Sequence, residues 1–257
     1  MQLNYSQVGS GANVVLLHGL FGNADNLAQL AKALSAQYLV TSIDLRNHGN
    51  SPHSSAHSYQ DMATDIQQTL EALNIDSCHL FGHSMGGKAA MYFALHHPTM
   101  VNSLIVEDIA PVTYPNRHQE VFNALTQIEL ASLTSRAQAV KQLSQSIDSV
   151  GICQFLAKSL YKSNDTWQWK MNLPVLEKAY PEIAGFPSDI PNTYQGPTLF
   201  IKGMDSDYIS TEHKTEIQQR FPTAHVKVIQ GAGHWIHAEK PNIFNKIVAD
   251  FLQKPQR

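Results

Sequence analysis

The sequence predicts an α/β protein in which a mostly parallel, doubly wound sheet is flanked by helices on both faces. Short, almost continuously apolar runs alternate along the chain with stretches whose apolar residues recur every three or four positions. The first pattern is typical of parallel strands buried on both faces, and the second is typical of amphipathic helices. Their alternation favours the α/β class, and one long region that breaks it, residues 111–187, indicates a helical insertion.

Six apolar runs are predicted to be strands. In chain order they are NVVLLHG (13–19), YLVTSID (38–44), CHLFG (78–82), VNSLIVEDI (101–109), TLFIKG (198–203) and HVKVIQ (225–230). The segments between them carry one-sided apolar stripes that predict helices. These stripes are Leu27, Leu30, Ala31 and Leu34; Met62, Ile66, Leu70 and Leu73; and, at the end of the chain, Ile243, Phe244, Ile247, Val248 and Phe251.

The region of residues 111–187 contains no run that predicts a strand. Its three apolar stripes have helical spacing: Val121, Leu125 and Ile128; Val140, Leu143 and Ile147; and Ile152, Phe155, Leu156 and Leu160. We therefore expect a core made of residues 1–112 and 187–257, with a helical cap formed by residues 113–186.

Composition excludes several classes of function. The 257 residues carry a net charge of 18 − 21 = −3 without a basic run, which argues against a nucleic-acid partner. No apolar stretch approaches the roughly 20 residues of a membrane span, and the opening MQLNYSQVGS lacks the pattern of a signal peptide. Cys78 and Cys153 have no CxxC spacing, and no HExxH motif occurs among the 13 histidines. We expect a cytoplasmic protein with neither a disulfide framework nor a metal site.

The segment GHSMG at residues 82–86 fits the pattern G-x-S-x-G and directly follows a predicted strand. This pattern is typical of the sharp strand-to-helix turn that exposes a nucleophilic serine. Glycine is unfavourable in regular elements, so Gly82, Gly86 and Gly87 indicate backbone positions that need it. Ser84 is therefore the candidate nucleophile.

A nucleophilic serine needs a base, and His234 is the candidate. It lies in GAGHWIHAEKP, residues 231–241, directly after the last predicted strand. Gly231 and Gly233 would let this loop bend toward the edge of the sheet that carries the serine. We expect His237, three residues further on, to serve in packing or helix capping.

Attack on a carbonyl builds negative charge on its oxygen, which requires preorganised N–H donors. The segment LLHGLFGN, residues 16–23, ends a strand in a glycine-rich loop similar to the one that supplies such a donor beside serine turns of this kind. The expected donors are the backbone N–H groups of Leu20, or alternatively Phe21, and of Met85. We expect His18 to fix this loop by hydrogen bonds.

The order of the motifs HGLFG, DLRNHGNS, GHSMGGK and GAGHW resembles that of the α/β-hydrolase superfamily. The pieces DLRNHGNSP, EDIAPV and GAGHWIHAEKP are most similar to the small YbfF-type esterases. The resemblance extends over nearly the whole chain. It implies an eight-stranded, mostly parallel sheet, a helical cap inserted after the sixth strand, hydrolysis of esters or thioesters, and no cofactor.

The acid that orients the histidine has three candidates. In most superfamily members this acid follows the seventh strand as G-x-x-D. Counted from Gly203, that position is Ser206, which is flanked by Asp205 and Asp207. Neither aspartate therefore occupies the acid position of this motif: Asp205 lies one residue before it and Asp207 one residue after it.

The third candidate, Asp108, ends the predicted strand of residues 101–109 and so points to the same edge of the sheet. The resemblance to YbfF-type esterases favours Asp108, with Ser206 as an auxiliary hydrogen-bonding neighbour. Asp205 and Asp207 stay as alternatives and are otherwise expected to cap their loop. Strand alternation places Glu107 on the opposite face, where we expect packing or a salt bridge.

These residues predict a Ser-His-Asp mechanism, and the resemblance implies a small acyl ester or thioester as its substrate. Ser84 attacks the carbonyl as His234 takes its proton, and water then hydrolyses the acyl-enzyme. Lactone, C–C and peptide hydrolysis are alternatives, because they use the same residues. A non-catalytic ligand-binding protein on this fold is an alternative of another class. The residues make no prediction of oligomeric state.

Overall fold

The computed structural model describes residues 1–187, 190 and 193–253. The strands within these residues are β1 (Tyr5–Val8), β2 (Ala12–Leu17), β3 (Tyr38–Ile43), β4 (Cys78–His83), β5 (Val101–Glu107), β6 (Leu160–Ser163), β7 (Thr166–Trp169), β8 (Thr198–Gly203) and β9 (Ala224–Ile229). Seven of them form the central sheet in the order β1-β3-β2-β4-β5-β8-β9. Only β1, at the edge, pairs antiparallel.

The predicted α/β class is confirmed, and the sheet is buried on both faces as the apolar runs require. In β2, Val15 and Leu17 belong to the core on one face, while Val14 and Leu16 belong to the core on the other. All four side chains are at most 1% exposed. Two cores on one strand explain why the run is continuously apolar rather than alternating.

The helices cover both faces. Within the described residues they are α1 (Ala28–Leu34), α2 (Tyr59–Ala72), α3 (Met85–His96), α4 (Gln119–Thr126), α5 (Arg136–Leu143), α6 (Val150–Ala157), α7 (Leu173–Ala184), α8 (Lys214–Arg220), α9 (Ile236–Glu239) and α10 (Pro241–Leu252). The buried residues of α2 and α3 lie in one core, and those of α1 and α10 lie in the other. None of these helices is both long and apolar enough to cross a membrane.

The predicted number of strands is wrong. Within the described residues the sheet has seven strands rather than eight, because a single antiparallel strand, β1, precedes β2. The helical segment consequently follows the fifth strand of the sheet, not the sixth. Residues 188–189, 191–192 and 254–257 of the predicted core lie outside the described residues.

The segment between β5 and β8, hereafter the inserted segment (residues 113–186), is mainly helical, with α4 to α7. The sequence predicted no strand in this segment. That prediction is wrong, because β6 and β7 form an antiparallel hairpin. Asn164 and Asp165 at its turn have positive φ angles of 47° and 62°. Two positive φ angles are what a tight two-residue hairpin turn needs. The sequence signal was weak because neither position is glycine.

The loop between β3 and α2 carries a group of buried histidines. His48 and His57 are 0% and 3% exposed, and their rings are 5.7 Å apart. Asn47 Nδ2 donates to His57 Nδ1 at 3.2 Å, which leaves the proton on Nε2 without a partner. Burial, with Arg46 nearby, lowers the pKa of His57 to about 4. This side chain is therefore neutral in the folded protein at neutral pH.

We expect the free energy of unfolding to fall as the pH decreases from about 6.5 toward 4. In this window the unfolded chain binds a proton that folded His57 does not, so acid favours unfolding by up to about 1.4 kcal/mol per pH unit. His57→Gln should flatten the dependence measured by urea unfolding between about pH 7.5 and about pH 5. The exposed His53, in the same loop, provides a control as His53→Gln. An unchanged slope in His57→Gln would contradict this assignment.

Candidate active site

Ser84 sits on the turn between β4 and α3, with a φ angle of 53° and a ψ angle of −118°. Positive φ is strained for a residue with a side chain, and such strain is typical of a serine presented at a strand-to-helix turn. The turn is also crowded. A Cβ atom on Gly82 would collide with the Gly86 carbonyl, and one on Gly86 would collide with the carbonyls of Leu17 and His18. Only glycine lets these backbones approach so closely.

The structure brings Ser84, His234 and Asp108 together although they are distant in sequence. His234 Nε2 lies 3.0 Å from Ser84 Oγ, and His234 Nδ1 lies 2.8 Å from Asp108 Oδ2. Because the carboxylate only accepts, Nδ1 carries the proton and Nε2 is free to accept from the serine hydroxyl. The histidine side chain is 12% exposed and the aspartate is fully buried. This arrangement can move a proton from the hydroxyl to the imidazole.

Asp108 follows β5 and is held by the neighbouring strand β8. Its N–H donates to the Ile201 carbonyl at 2.9 Å, and its Oδ1 accepts from the Gly203 N–H at 3.0 Å. The hydroxyl of Ser206 donates to Oδ2, the oxygen that also faces His234. The carboxylate is therefore satisfied on both oxygens and fixed in orientation.

The two other candidate acids do not reach the histidine. Asp207 is 76% exposed and forms an ion pair with Arg117 at 2.6 Å. Asp205 is exposed, and its N–H donates to the Ala232 carbonyl at 3.0 Å. Among the carboxylates of the described residues, only that of Asp108 is hydrogen-bonded to His234.

The candidate oxyanion donors lie beside Ser84. Leu20 and Met85 both line a small cavity beside the serine. The N–H of Phe21 donates instead to His48 Nε2 at 3.2 Å, so the geometry favours Leu20 over Phe21. His48 in turn donates from Nδ1 to the Arg46 carbonyl at 2.9 Å, which leaves Nε2 as the acceptor.

His18 supports the same loop from within. Its Nδ1 donates to the Gly19 carbonyl at 2.8 Å, and its Nε2 accepts from the Leu45 N–H at 3.0 Å. Burial lowers the pKa of this ring. A neutral ring with one donor and one acceptor satisfies both contacts, which is the loop-fixing role expected of His18.

The loop that carries His234 is held from behind by buried polar groups. His83 Nε2 donates to the His234 carbonyl at 3.0 Å, and burial keeps the pKa of His83 well below its usual range. Glu107 accepts from the N–H of His237 and from its Nδ1, both at 2.9 Å. Glu239 accepts from the Gly233 N–H at 2.7 Å. The backbone on both sides of the base is thus anchored.

Three of these residues, His83, Glu107 and His237, bring possible metal-ligand atoms within 4.8 Å of one another. The carboxylate of Glu107 already accepts from both donors of His237, and His83 donates to a backbone carbonyl. The group is therefore satisfied by its own hydrogen bonds, and its contacts are those of a support for the loop.

Sequence reasoning missed Tyr208. Its ring stacks on that of His234 with the centroids 4.0 Å apart and the planes 23° from parallel. This contact limits rotation of the imidazole away from Ser84. Nothing in the spacing of the residues indicated it, because Tyr208 lies in a loop with no periodic pattern. The flanking residues Asp205 and Asp207 were the stronger signal there.

Two cavities meet at Ser84. The larger, about 230 Å³, is mainly apolar and is lined in part by Phe21, Val121, Ile152, Phe155 and Leu156. The smaller is lined in part by Lys88, Tyr114 and Tyr180, and Arg117 and His118 line both cavities. The inserted segment contributes to both sets of walls. The site can therefore receive an apolar group in the larger cavity beside the serine.

Comparison with known proteins agrees with this geometry. A model of the alpha/beta hydrolase fold family matches residues 12–241. The chain is 40% identical to "Esterase YbfF" of Escherichia coli (strain K12) over 93% of this chain and 92% of that protein. It is 41% identical to "sn-1-specific diacylglycerol lipase ABHD11" of Mus musculus, over 93% of this chain and 80% of that protein. A solved structure described as "Marine microorganism esterase" is 38% identical, covers 97% of this chain and 99% of its own, and has a TM-score of 0.95. The predicted resemblance to YbfF-type esterases is confirmed.

The choice among the three aspartates can be tested by the reactivity of Ser84 toward a fluorophosphonate. Asp108→Asn should slow labelling by about 10³–10⁴, because the neutral amide no longer orients and stabilises the charged imidazole. Asp205→Asn and Asp207→Asn should stay within about tenfold of wild type, since neither side chain contacts the base. Ser206→Ala, which removes one hydrogen bond and no charge, should fall between them. A loss in Asp207→Asn as large as that in Asp108→Asn would reverse the assignment.

Proposed function

Because the chain belongs to the alpha/beta hydrolase fold family, we propose that it is a carboxylic ester hydrolase that works through a Ser84-His234-Asp108 triad. The observation that carries this proposal is the continuous hydrogen-bonded path from Ser84 Oγ through both ring nitrogens of His234 to the buried Asp108 carboxylate. Esterase and lipase names among relatives of about 40% identity support it.

In this mechanism His234 accepts the proton of Ser84 as Oγ attacks the ester carbonyl. Asp108, buried and hydrogen-bonded on both carboxylate oxygens, orients the imidazole and stabilises the imidazolium that forms. The N–H groups of Leu20 and Met85 stabilise the oxyanion. His234 then protonates the leaving alcohol, and a water molecule hydrolyses the acyl-enzyme by the same route in reverse.

The apolar cavity supports a substrate with an acyl chain. Its walls come from the loop of Leu20 and Phe21 and from the inserted segment. Phe21, Val121 and Ile152 make one part of the wall apolar, and Arg117 is the charged residue that also lines it. We propose a small acyl ester as the substrate. Acyl thioesters are included, because the triad and the oxyanion donors act on the carbonyl and the leaving group alone.

We also propose that residues 113–186 act as a cap over the site. Residues of this segment line both cavities beside Ser84, so a substrate must pass between the segment and the sheet. A location in the reducing cytoplasm is proposed from the cysteines, since Cys78 and Cys153 are both free and buried.

The central experiment is a hydrolysis screen across p-nitrophenyl esters and acyl-CoA thioesters of increasing chain length. Wild-type protein should hydrolyse esters, and Ser84→Ala should lose about 10⁶ in turnover, down to the level that binding and the oxyanion donors alone supply. A Ser84→Ala variant that retains more than about a tenth of wild-type turnover would exclude the acyl-enzyme mechanism.

The role of the apolar cavity can be tested on one helix of the inserted segment. Ile152 of α6 lines the cavity, whereas Val150 of the same helix is 55% exposed and lies outside it. Ile152→Trp should lower kcat/KM for a decanoyl ester about tenfold, by filling the space for the chain, and leave an acetyl ester within about threefold. Val150→Trp should change neither. Equal losses on both esters in Ile152→Trp would mean that the acyl chain lies elsewhere.

A further inference from the structure

The ammonium group of Lys88 is bonded to both ends of the inserted segment. Lys88 lies on α3, one helical turn after Ser84, and is 1% exposed. Its Nζ donates to the carbonyl oxygens of Val112 at 2.8 Å, Ala184 at 2.7 Å and Gly185 at 2.7 Å. Val112 directly precedes the segment, and the other two residues lie at its end. One cation therefore joins the points where the chain leaves the core and returns to it.

These contacts use the full capacity of an ammonium group. Such a group has three N–H donors and no acceptor, and here each proton has a backbone carbonyl. The Tyr114 ring, 4.7 Å from Nζ, adds a further favourable contact for a cation. Burial opposes the charge and lowers the pKa of Lys88 to about 7. A lysine inside the otherwise apolar run of α3 is thus explained by its three partners and not by packing.

The two ends of the segment are also bonded to each other. The N–H of Tyr114 donates to the Ala184 carbonyl at 2.9 Å. The hydroxyl of Tyr59, on α2, donates to the Ile183 carbonyl at 2.6 Å. Lys88 differs from Tyr114 and Tyr59 in two ways. It contacts both ends of the segment, and it lies on α3, the helix that follows the nucleophile Ser84.

The same ends form the walls of the smaller cavity. Tyr114 at the beginning of the segment, and Tyr180, Ile183 and Ala184 at its end, line this cavity together with Ser84. A shift of either end relative to α3 would move these walls with respect to the serine. The position of the two ends of the inserted segment therefore sets the size of the cavity next to Ser84 Oγ.

We propose that Lys88 is a positioning residue that fixes both ends of the inserted segment to the nucleophile helix and so sets the shape of the cavity beside Ser84. It acts through the segment and not on the reacting atoms. The inference deepens the proposed function and rests on it only in taking the cavity to receive part of the ester.

Lys88→Met tests the attachment itself. Methionine fills most of the space and removes all three donors, so the ends of the segment should open more often. Hydrogen exchange at about pH 6, where the lysine carries its proton, should show amides of residues 112–116 and 180–187 exchanging about tenfold faster, with β4 and β5 unchanged. Lys246→Met is the matched control, because that lysine is 71% exposed on α10. Unchanged exchange at both ends would overturn the proposal.

Kinetics separate positioning from catalysis. In Lys88→Met we expect KM to rise about tenfold for both an acetyl and a decanoyl ester, because the change lies in the smaller cavity and not in the one assigned to the acyl chain. We expect kcat and the rate of fluorophosphonate labelling of Ser84 to stay within about threefold of wild type. Loss of labelling, or a fall in kcat at unchanged KM, would overturn the proposal, because Lys88 would then act on the nucleophile. If wild-type protein hydrolyses no ester, the proposed function fails while exchange and labelling still decide the role of Lys88.

A second variant tests the proposal if Lys88→Met does not fold. Lys88→Gln keeps polar donors without the charge and should show the same faster exchange at the two ends, to a smaller degree. If neither variant folds, as judged by circular dichroism and a cooperative thermal transition, the proposal is overturned. Lys88 would then support the whole core and not the attachment of one segment.

Discussion

The register of three adjacent parallel strands, β4, β5 and β8, is the constraint on which the site depends. His83 pairs with Glu107, and Glu107 pairs with Ile201, so the three strands end almost in line. The ladder continues one residue further. The N–H of Ser84 donates to the Glu107 carbonyl at 3.1 Å, and the N–H of Asp108 donates to the Ile201 carbonyl at 2.9 Å. A shift of one residue in either pairing would separate the nucleophile from the acid.

Beyond these strand ends the backbone leaves regular geometry where side chains must point into the site. Ser84, Asp108 and Phe21 have φ angles of 53°, 51° and 65°. A non-glycine residue at positive φ costs about 1–3 kcal/mol, and the surrounding structure must offset that strain. Here the offset comes from glycine contacts at the turn, from β8 behind Asp108 and from His48 beneath the oxyanion loop.

Polar groups around the triad fix the loops and segments that surround it. His83 and Glu107 anchor the loop of the base, and Ser206 completes the partners of the acid. Lys88 extends the same principle to the inserted segment, since a single buried cation is satisfied by carbonyls from two distant places in the chain. In each case hydrogen bonds to named partners fix the position of the polar group.

The sequence by itself determined the α/β class, the six strands of the main parallel array, the nucleophile turn and the position of His234 after the last strand. Local patterns indicate these features, such as apolar runs of strand length and glycines around one serine. The residues alone left three aspartates as candidates for the acid, and only resemblance favoured Asp108.

Tertiary structure decided which carboxylate reaches the base, because that contact spans 126 residues of chain. It also decided the seven strands of the sheet, the hairpin at Asn164 and Asp165, the stacking of Tyr208 on His234 and the partners of Lys88. The hairpin was missed because its turn contains no glycine. The other features have no local pattern, since they join groups that are distant in the chain and meet only when the sheet and the inserted segment are in place.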